Sequence, residues 1–505
     1  MIFGGALGDR AFENVALLVV IFIAAICGLC WFSLHSGHSK MVRRLVPCSV
    51  VVAIVIASLT LRIEKLSGTL VPKFVPRWSK SPDQLLDDPM QVDSAVDLKR
   101  TTPHDFPQFL GPQRDQQVRG IDLATDWTVR PPRILWKQKI GAGWSGFAAV
   151  NGFAVTLEQR GDSELTTCYR IETGEVVWWH AEPGRFYESR GGVGPRSTPT
   201  IHGGQVYVVG AHGTLTCLSG SGGDVIWKRN ILQDVNTTSQ RDQEVIAWGR
   251  SNSPLIVDGK VIVPGGGPPG GPYDSLLAYD AQTGDLSWRG GDQQISYSSP
   301  QLVELDGERQ ILIVNEATLT SHHVGQGDVL WEMEWDGSSA NNASVSQAVP
   351  LSGDRVFVSK GYFGGAKVIR VTQSAGQNWT VEDLWHEPQL LKTKFTNVCI
   401  AGHHVYGLSD GILECVDVNS GERCWKRGRF GHGQILLVKD VLLVQSETGA
   451  LTMVSADPER FVVMGKTDVL VGQAWNHLCM FGNHLLMRSD EEAACLELPQ
   501  KSTEF

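Results

Sequence analysis

The sequence predicts an all-β fold: an eight-bladed β-propeller of four-stranded blades, preceded by two transmembrane helices. Three observations predict it. A short phrase ending in tryptophan recurs at near-regular spacing, the stretches ahead of each copy alternate with period two, and the 505 residues include 55 Gly and 16 Trp, the makings of many turns and many aromatic packing sites. Hydrophobic residues at 42% and charged residues at 19% describe a globular chain. A net charge of −10 argues against nucleic-acid binding, which needs a Lys/Arg excess to neutralise phosphates.

The apolar segments come first. Residues 15–34, VALLVVIFIAAICGLCWFSL, hold twenty residues without a charge, the length that crosses a hydrocarbon core as a helix. A cleaved signal peptide is the competing reading, but Asp9, Arg10 and Glu13 replace the usual basic cluster and no small-x-small site follows. Residues 45–61, LVPCSVVVAIVIASLTL, read as a shorter second span. Lys40, Arg43 and Arg44 between the spans put that loop in the cytoplasm, and so the main body outside it, in the periplasm; Arg62, Lys65, Lys73, Arg77 and Lys80 pull the other way. This makes residues 1–62 a membrane anchor. Residues 63–104 are polar and punctuated by proline, which predicts a tether with little structure.

The propeller is expected over 105–498, with 499–505 as a tail. Its repeat is read by aligning TGEVVW, GGDVIW, TGDLSW, QGDVLW and SGERCW on Trp178, Trp227, Trp288, Trp331 and Trp425. Four residues ahead of each Trp stands Gly (Gly174, Gly223, Gly284, Gly327, Gly421), and three ahead stands an acid (Glu175, Asp224, Asp285, Asp328, Glu422). Ten ahead stands a small residue: Cys168, Cys217, Ala278, Ser321 or Cys415. The Gly permits positive φ in a tight turn, the acid can bond turn amides, and the Trp buries a large ring where neighbouring sheets meet. Three of the cysteines are thereby read as fillers of a tight slot rather than reactive thiols. Cys27 and Cys30 form a CxxC inside the first apolar segment, where packing is the simpler role.

Spacing sets the blade count. The gap from Trp331 to Trp425, 94 residues against 43 to 61 for the others, is split by Trp385 in VEDLWHE; a seventh turn follows, with Met464 where its tryptophan might fall. Residues 474–498 then supply three strands without a fourth, and RILWKQKI at 133–140, carrying Trp136, is a fourth strand with nothing before it. Joined, they close an eighth blade from both ends of the chain and leave no open sheet edge. A seven-bladed ring is the other closure these gaps permit.

With its repeat in hand, the chain resembles the pyrroloquinoline-quinone-like, tryptophan-docking propellers, whose repeat is A-x-D-x-x-T-G-x-x-x-W. AYDAQTGDLSW at 278–288 fits in full, and the other copies keep its Gly and Trp. DFPQFLGP at 105–112 and GPRSTPTI at 194–201 are similar to segments of a bacterial, planctomycete-like branch. The resemblance implies one of two functions: a quinoprotein dehydrogenase acting on alcohols or sugars with pyrroloquinoline quinone and Ca²⁺, or a non-catalytic scaffold similar to the outer-membrane assembly lipoprotein. Fold cannot choose between them.

Site chemistry leans to the scaffold. The resemblance to dehydrogenases implies a disulfide between adjacent cysteines and a Glu, Asn and Asp converging on Ca²⁺ beside an Asp base; the sequence has no Cys-Cys pair, and that acidic set is not evident. The loops leading into the blades read VGPRSTP, AWGRSNSP, ISYSSP, NNASVSQ, KFTNVC, FGHGQ and QAWNHL, rich in amides, hydroxyls and aromatics. Arg196, Arg250, Asn252, Tyr297, Asn342, Asn397 and Trp475 could there bind an anionic or sugar-like ligand; the competing account is that such loops need polar side chains to satisfy backbone around a wet channel. His322-His323 and His403-His404 point to opposite strand faces and cannot readily share a metal. GGGPPGGPY at 265–273 lacks the Lys-Ser/Thr of a phosphate loop and reads as an insertion. No catalytic residue and no metal site is therefore expected. The expectation is a scaffold for protein partners at the cytoplasmic membrane, needing no cofactor, with a membrane-bound quinoprotein oxidoreductase as the alternative.

Overall fold

The structure, a computed structural model, describes residues 10–339, 342–374 and 378–501. The chain divides into two compact units, one of residues 1–81 with 187–192, the other of 82–186 with 193–505.

In the first unit two helices, Arg10–His35 and Lys40–Thr60, are long and apolar enough to cross a membrane. The second begins five residues before the apolar run at 45, because Ser39 caps it by accepting from the Val42 amide. The tether expected from residue 63 onward is structured instead. Leu61–Leu66 pairs antiparallel with Pro72–Pro76, a hairpin whose alternating LRIEKL the proline count had masked. From Pro82 the chain lies along the first blade: the Arg185 guanidinium holds Asp83, the Val92 amide bonds Val176 O (2.9 Å), and Val96 and Leu98 are buried among that blade's apolar side chains.

The second unit is an eight-bladed propeller. Its four-stranded sheets begin at Ala148, Thr200, Leu255, Gln301, Val349, Cys399, Gln434 and Cys479, and the eighth takes Arg133–Lys139 as its outer strand. The seam is the one expected: Cys495 pairs with Trp136. Buried Arg488 locks it, donating to Thr156 Oγ1 (2.8 Å), Leu157 O (2.8 Å) and Gly141 O (2.9 Å) across the gap between the chain's two ends. Bonds of this kind hold the ring shut where no covalent link does.

Each recurring residue now has a place. The small residue ten ahead of each of Trp178, Trp227, Trp288, Trp331 and Trp425 is its cross-strand partner, and the register slips by one immediately after that pair, as at Cys168/Tyr169, Cys217/Leu218 and Ala278/Tyr279, and after the equivalent pairs Val368–Trp385, Met453–Gly465 and Cys495–Trp136. A bulge there tilts the indole toward the next blade. Trp136, Trp178, Trp227, Trp288 and Trp385 each lie flat on the turn glycine of the following blade, where a Cβ at Gly174 or Gly223 would stand 2.6 Å from the ring. These glycines also have positive φ, so two constraints select the same residue. Trp136, Trp178, Trp227, Trp385 and Trp425 donate their indole N–H to a carbonyl of that turn at 2.7–3.0 Å. Trp331 donates within its own blade, to Gln310 Oε1 (2.8 Å).

Two expectations are corrected. The turn amides are bonded by the aspartate ahead of the turn, Asp280 on Gln282 and Thr283 and Asp417 on Asn419 and Ser420. The acid after the glycine instead accepts a threonine hydroxyl (Glu175, Asp285) or an arginine from the preceding blade (Arg229 to Asp285, 2.6 Å). In blade seven the position opposite the small-residue site Met453 is Gly465, not Met464. Trp127, from the segment leading to the eighth blade's outer strand, covers Gly465, where a Cβ would stand 2.6 Å from its ring. The indole comes from the receiving blade, so the docking is reversed where the chain is interrupted.

Trp127→Ala is expected to destabilise the propeller by about 3–5 kcal/mol, as for other buried aromatics. In urea unfolding, adding Gly465→Trp should recover part of that loss by restoring the arrangement of the other blades; additive losses would count against the reversal.

Candidate functional site

The first strands of neighbouring blades approach one another, so they line the axis. Antiparallel connection puts the loops leading into the blades, and the hairpins between second and third strands, on one face. Two residues before each first strand stands one member of a ring. Gly146 N donates to Thr198 Oγ1 (3.1 Å), Thr198 N to Ser253 Oγ (2.9 Å), Ser253 N to Ser299 Oγ (2.8 Å), Ser299 N to Gln347 Oε1 (2.9 Å) and Gln347 N to Asn397 Oδ1 (2.8 Å). This belt ties six successive blades at the channel mouth. Asn397 Nδ2 donates onward to His477 Nε2 (3.1 Å), which places the histidine proton on Nδ1. Burial drives His477 down to about 3, so it is neutral.

Below the belt the channel is filled by the chain itself. Phe106 exchanges both backbone bonds with Ala149 (2.8 Å each), Pro107 O accepts from Ile201 N (2.8 Å), and Gln117–Val118 pairs parallel with Leu437–Val438. Arg114 donates to Pro254 O (2.9 Å) and Ser253 O (3.2 Å), and Gln117 Nε2 to Ile400 O (3.0 Å). One segment thus touches the first strands, or the residues just before them, of blades one, two, three, six and seven, and Phe109 meets His477 edge-on at 4.7 Å. Burial lowers Arg114 to about 9.

Four residues before the first strands lies the rim. Trp144 packs against Trp475 (4.7 Å between centroids), Trp475 against Phe395 (4.5 Å), and Phe395 against His432 (5.2 Å), an aromatic crescent over blades six to one. Glu447 accepts from Trp475 Nε1 (3.2 Å) and the His432 amide (3.1 Å).

Of the residues expected to bind, Trp475 lies in this crescent and Asn397 in the belt beneath it. The others are built into the walls. Arg250, 1% exposed, grips Asp242 twice (2.8 and 3.1 Å) and also bonds Pro264 O and Gly265 O. Asn252 spans to the Ser296 and Ser298 carbonyls, Tyr297 stacks on Trp248 (5.0 Å) and donates to Ser339 O (3.0 Å), and Asn342 donates to Asp336 O (3.3 Å). Arg196 bonds Gly194 O and lies over the Phe186 ring. Sequence reasoning missed Trp144, Phe395, Glu447 and the channel segment. The common position four ahead of each first strand, shared by Phe395 and Trp475, would have found Trp144; nothing local marks Glu447.

Among the described residues no group of three His, Cys, Asp or Glu side chains is placed to hold a metal ion; the rim carries amides, aromatic rings and the Glu447 carboxylate. His322 is buried between Thr320 and Gly327 O and held down to about 4, while His323 faces the other way.

The profile of the family described as outer membrane protein assembly factor BamB matches residues 114–227 and 179–427. Residues over 21% of the chain are 33% identical, across 108 positions, to the quinohemoprotein alcohol dehydrogenase ADH IIB of Pseudomonas putida; the match spans only 14% of that enzyme. Among solved structures the fold is similar to BamB of Moraxella catarrhalis (TM-score 0.52, 13% identity, 73% of this chain and all of that one). It is also similar to a europium-containing methanol dehydrogenase (0.58, 10%, 77% and 90%) and to the quinohemoprotein alcohol dehydrogenase ADHIIG of Pseudomonas putida HK5 (0.57, 9%, 81% and 84%).

One buried acid on this face makes a pH prediction. Glu164 accepts from the Ala211 amide, and burial raises it to about 7 against an ordinary 4.5, opposed by that hydrogen bond and by Arg196. Because the unfolded chain ionises first, stability should fall as pH rises from about 4.5 to about 7, by an amount on the order of 3 kcal/mol. Glu164→Gln should remove that fall in denaturant titrations at pH 5 and pH 8.

Proposed function

Because this chain belongs to the family of pyrroloquinoline-quinone-like propellers described as outer membrane protein assembly factor BamB, we propose that it is a non-catalytic assembly scaffold, anchored in the cytoplasmic membrane by its two apolar helices with the propeller in the periplasm. The observation that carries the reading is the occupied axis. Phe106–Val118 uses the inner strands' free hydrogen-bonding edges, and the polar residues above it are bonded to one another around the ring. A scaffold needs a stiff ring with variable loops, and this arrangement stiffens it. The loop face also carries an exposed aromatic tip in blade five, where Tyr362 and Phe363 both have positive φ and Phe363 is 67% exposed. Strain of this kind is held where a loop is shaped for contact. The quinoprotein oxidoreductase reading draws on the 33% identity to ADH IIB over 108 residues.

Two measurements test the proposal. Incubation with pyrroloquinoline quinone and Ca²⁺ should leave no chromophore on the protein after gel filtration and no alcohol- or glucose-dependent dye reduction; either signal would establish the oxidoreductase instead. A photo-crosslinker at Phe363 in intact membranes should give discrete protein adducts that the same probe at Asn419, on the opposite face, does not.

A further inference from the structure

Three buried carboxamides lie side by side beneath the aromatic crescent. Gln434 and Gln445 are register partners on adjacent strands, Gln445 Nε2 donates to Asn476 O (2.9 Å), and all three residues are fully buried. Gln434 places both amide hydrogens on carbonyls, Phe395 O (3.2 Å) and Trp475 O (2.9 Å), and Asn476 does likewise with Gly143 O and Ser145 O (2.9 Å each). Flipping either group would set oxygen against oxygen, so the carbonyl ends are assigned. Those ends, Gln434 Oε1, Gln445 Oε1 and Asn476 Oδ1, have no hydrogen-bond partner. A buried bare acceptor is costly to leave unmade, and three together call for a guest made of donors.

The rest of the mouth narrows that guest. Glu447, two residues beyond Gln445, takes the Trp475 indole N–H on its carboxylate, and its backbone carbonyl accepts from Ala474 N (2.9 Å). Gln445 and Glu447 share one short stretch and Trp475 and Asn476 another, while Gln434 reaches them through Phe395 O and Trp475 O and the Trp144 and Phe395 rings pack on Trp475. A carboxylate and π faces attract a cation, and acceptors without donors select one that carries N–H bonds.

We propose that this mouth is a binding site for a primary alkylammonium group, the ammonium on the carboxamide oxygens and Glu447 and the alkyl chain against the indoles. On the scaffold reading, which this inference deepens, the group is a lysine side chain of a partner protein; a free amine offers the same chemistry.

The full-length protein in detergent is titrated with n-butylammonium, tetramethylammonium and n-butanol, reading tryptophan fluorescence and heat. Butylammonium should bind with a Kd of about 1–10 mM, a range suited to one small group. Tetramethylammonium, lacking N–H, and butanol, lacking charge, should each bind at least tenfold more weakly. Glu447→Gln and Gln434→Leu should each weaken butylammonium at least fivefold with an unchanged circular dichroism spectrum, and Trp475→Leu serves if Gln434→Leu fails to fold. Tighter binding of acetyl-Ala-Lys-Ala-amide than of butylammonium identifies a peptide lysine as the source, and the reverse a free amine. Equal binding of butanol, or no saturation by butylammonium below 50 mM (about tenfold above mid-range), would overturn the site and mark the carbonyls as water-filled. That failure leaves the scaffold reading standing, since it is decided by the quinone assay.

Discussion

The docking of an indole on a glycine of the next blade is the contact on which the ring depends. Each blade is a small twisted sheet that cannot bury both of its faces alone, and apolar burial has no direction of its own. The indole supplies direction. Its ring needs a flat neighbour without a Cβ, its N–H needs a carbonyl, and the turn glycine with positive φ answers the first while the turn backbone answers the second. The repeated bulge at the indole's cross-strand pair sets the angle at which it leaves its own sheet. The reversal at Trp127 and Gly465 shows the same contact being conserved in form when its two halves change sides.

Closure then raises a second problem, which polar chemistry solves. Eight first strands facing one axis would leave edges and loop amides exposed to a narrow space, and unpaired buried polar groups are costly. The belt from Gly146 to Asn397 satisfies the loop amides one blade at a time, and Phe106–Val118 covers strand edges from within. This accounts for the wealth of Ser, Asn and Gln in the loops without a ligand. The carboxamide oxygens of Gln434, Gln445 and Asn476 are among the buried polar atoms that this pairing leaves bare.

The same accounting bears on the relation to the dehydrogenases. Similarity at 9–13% identity reports the shared ring alone, because docking indoles and bulges are what the fold requires of any sequence. The mouth is set by this chain's own side chains. Here side chains that could face a ligand, such as Arg250 and Asn252, are turned into the walls, where they join loops and blades.

How much could be read from the chain follows from range. Blade number, the seam between Trp136 and Cys495 and the slot occupied by Cys168, Cys217 and Cys415 were legible, because each rests on a local pattern repeated at a constant spacing. The candidate binding residues were legible only as a composition. Arg250 and Arg196 occupy equivalent loops, but whether either reaches the channel depends on Asp242 and Phe186, groups whose approach no spacing records. Likewise Trp127 stands in no repeat, and its role exists only because the ring brings it to Gly465. By itself, then, the sequence determined the repeating unit and its number, since strand alternation and turn glycines act over a few residues. The tertiary structure alone decided what fills the axis and which polar atoms stay bare, since those depend on contacts between residues up to hundreds of positions apart.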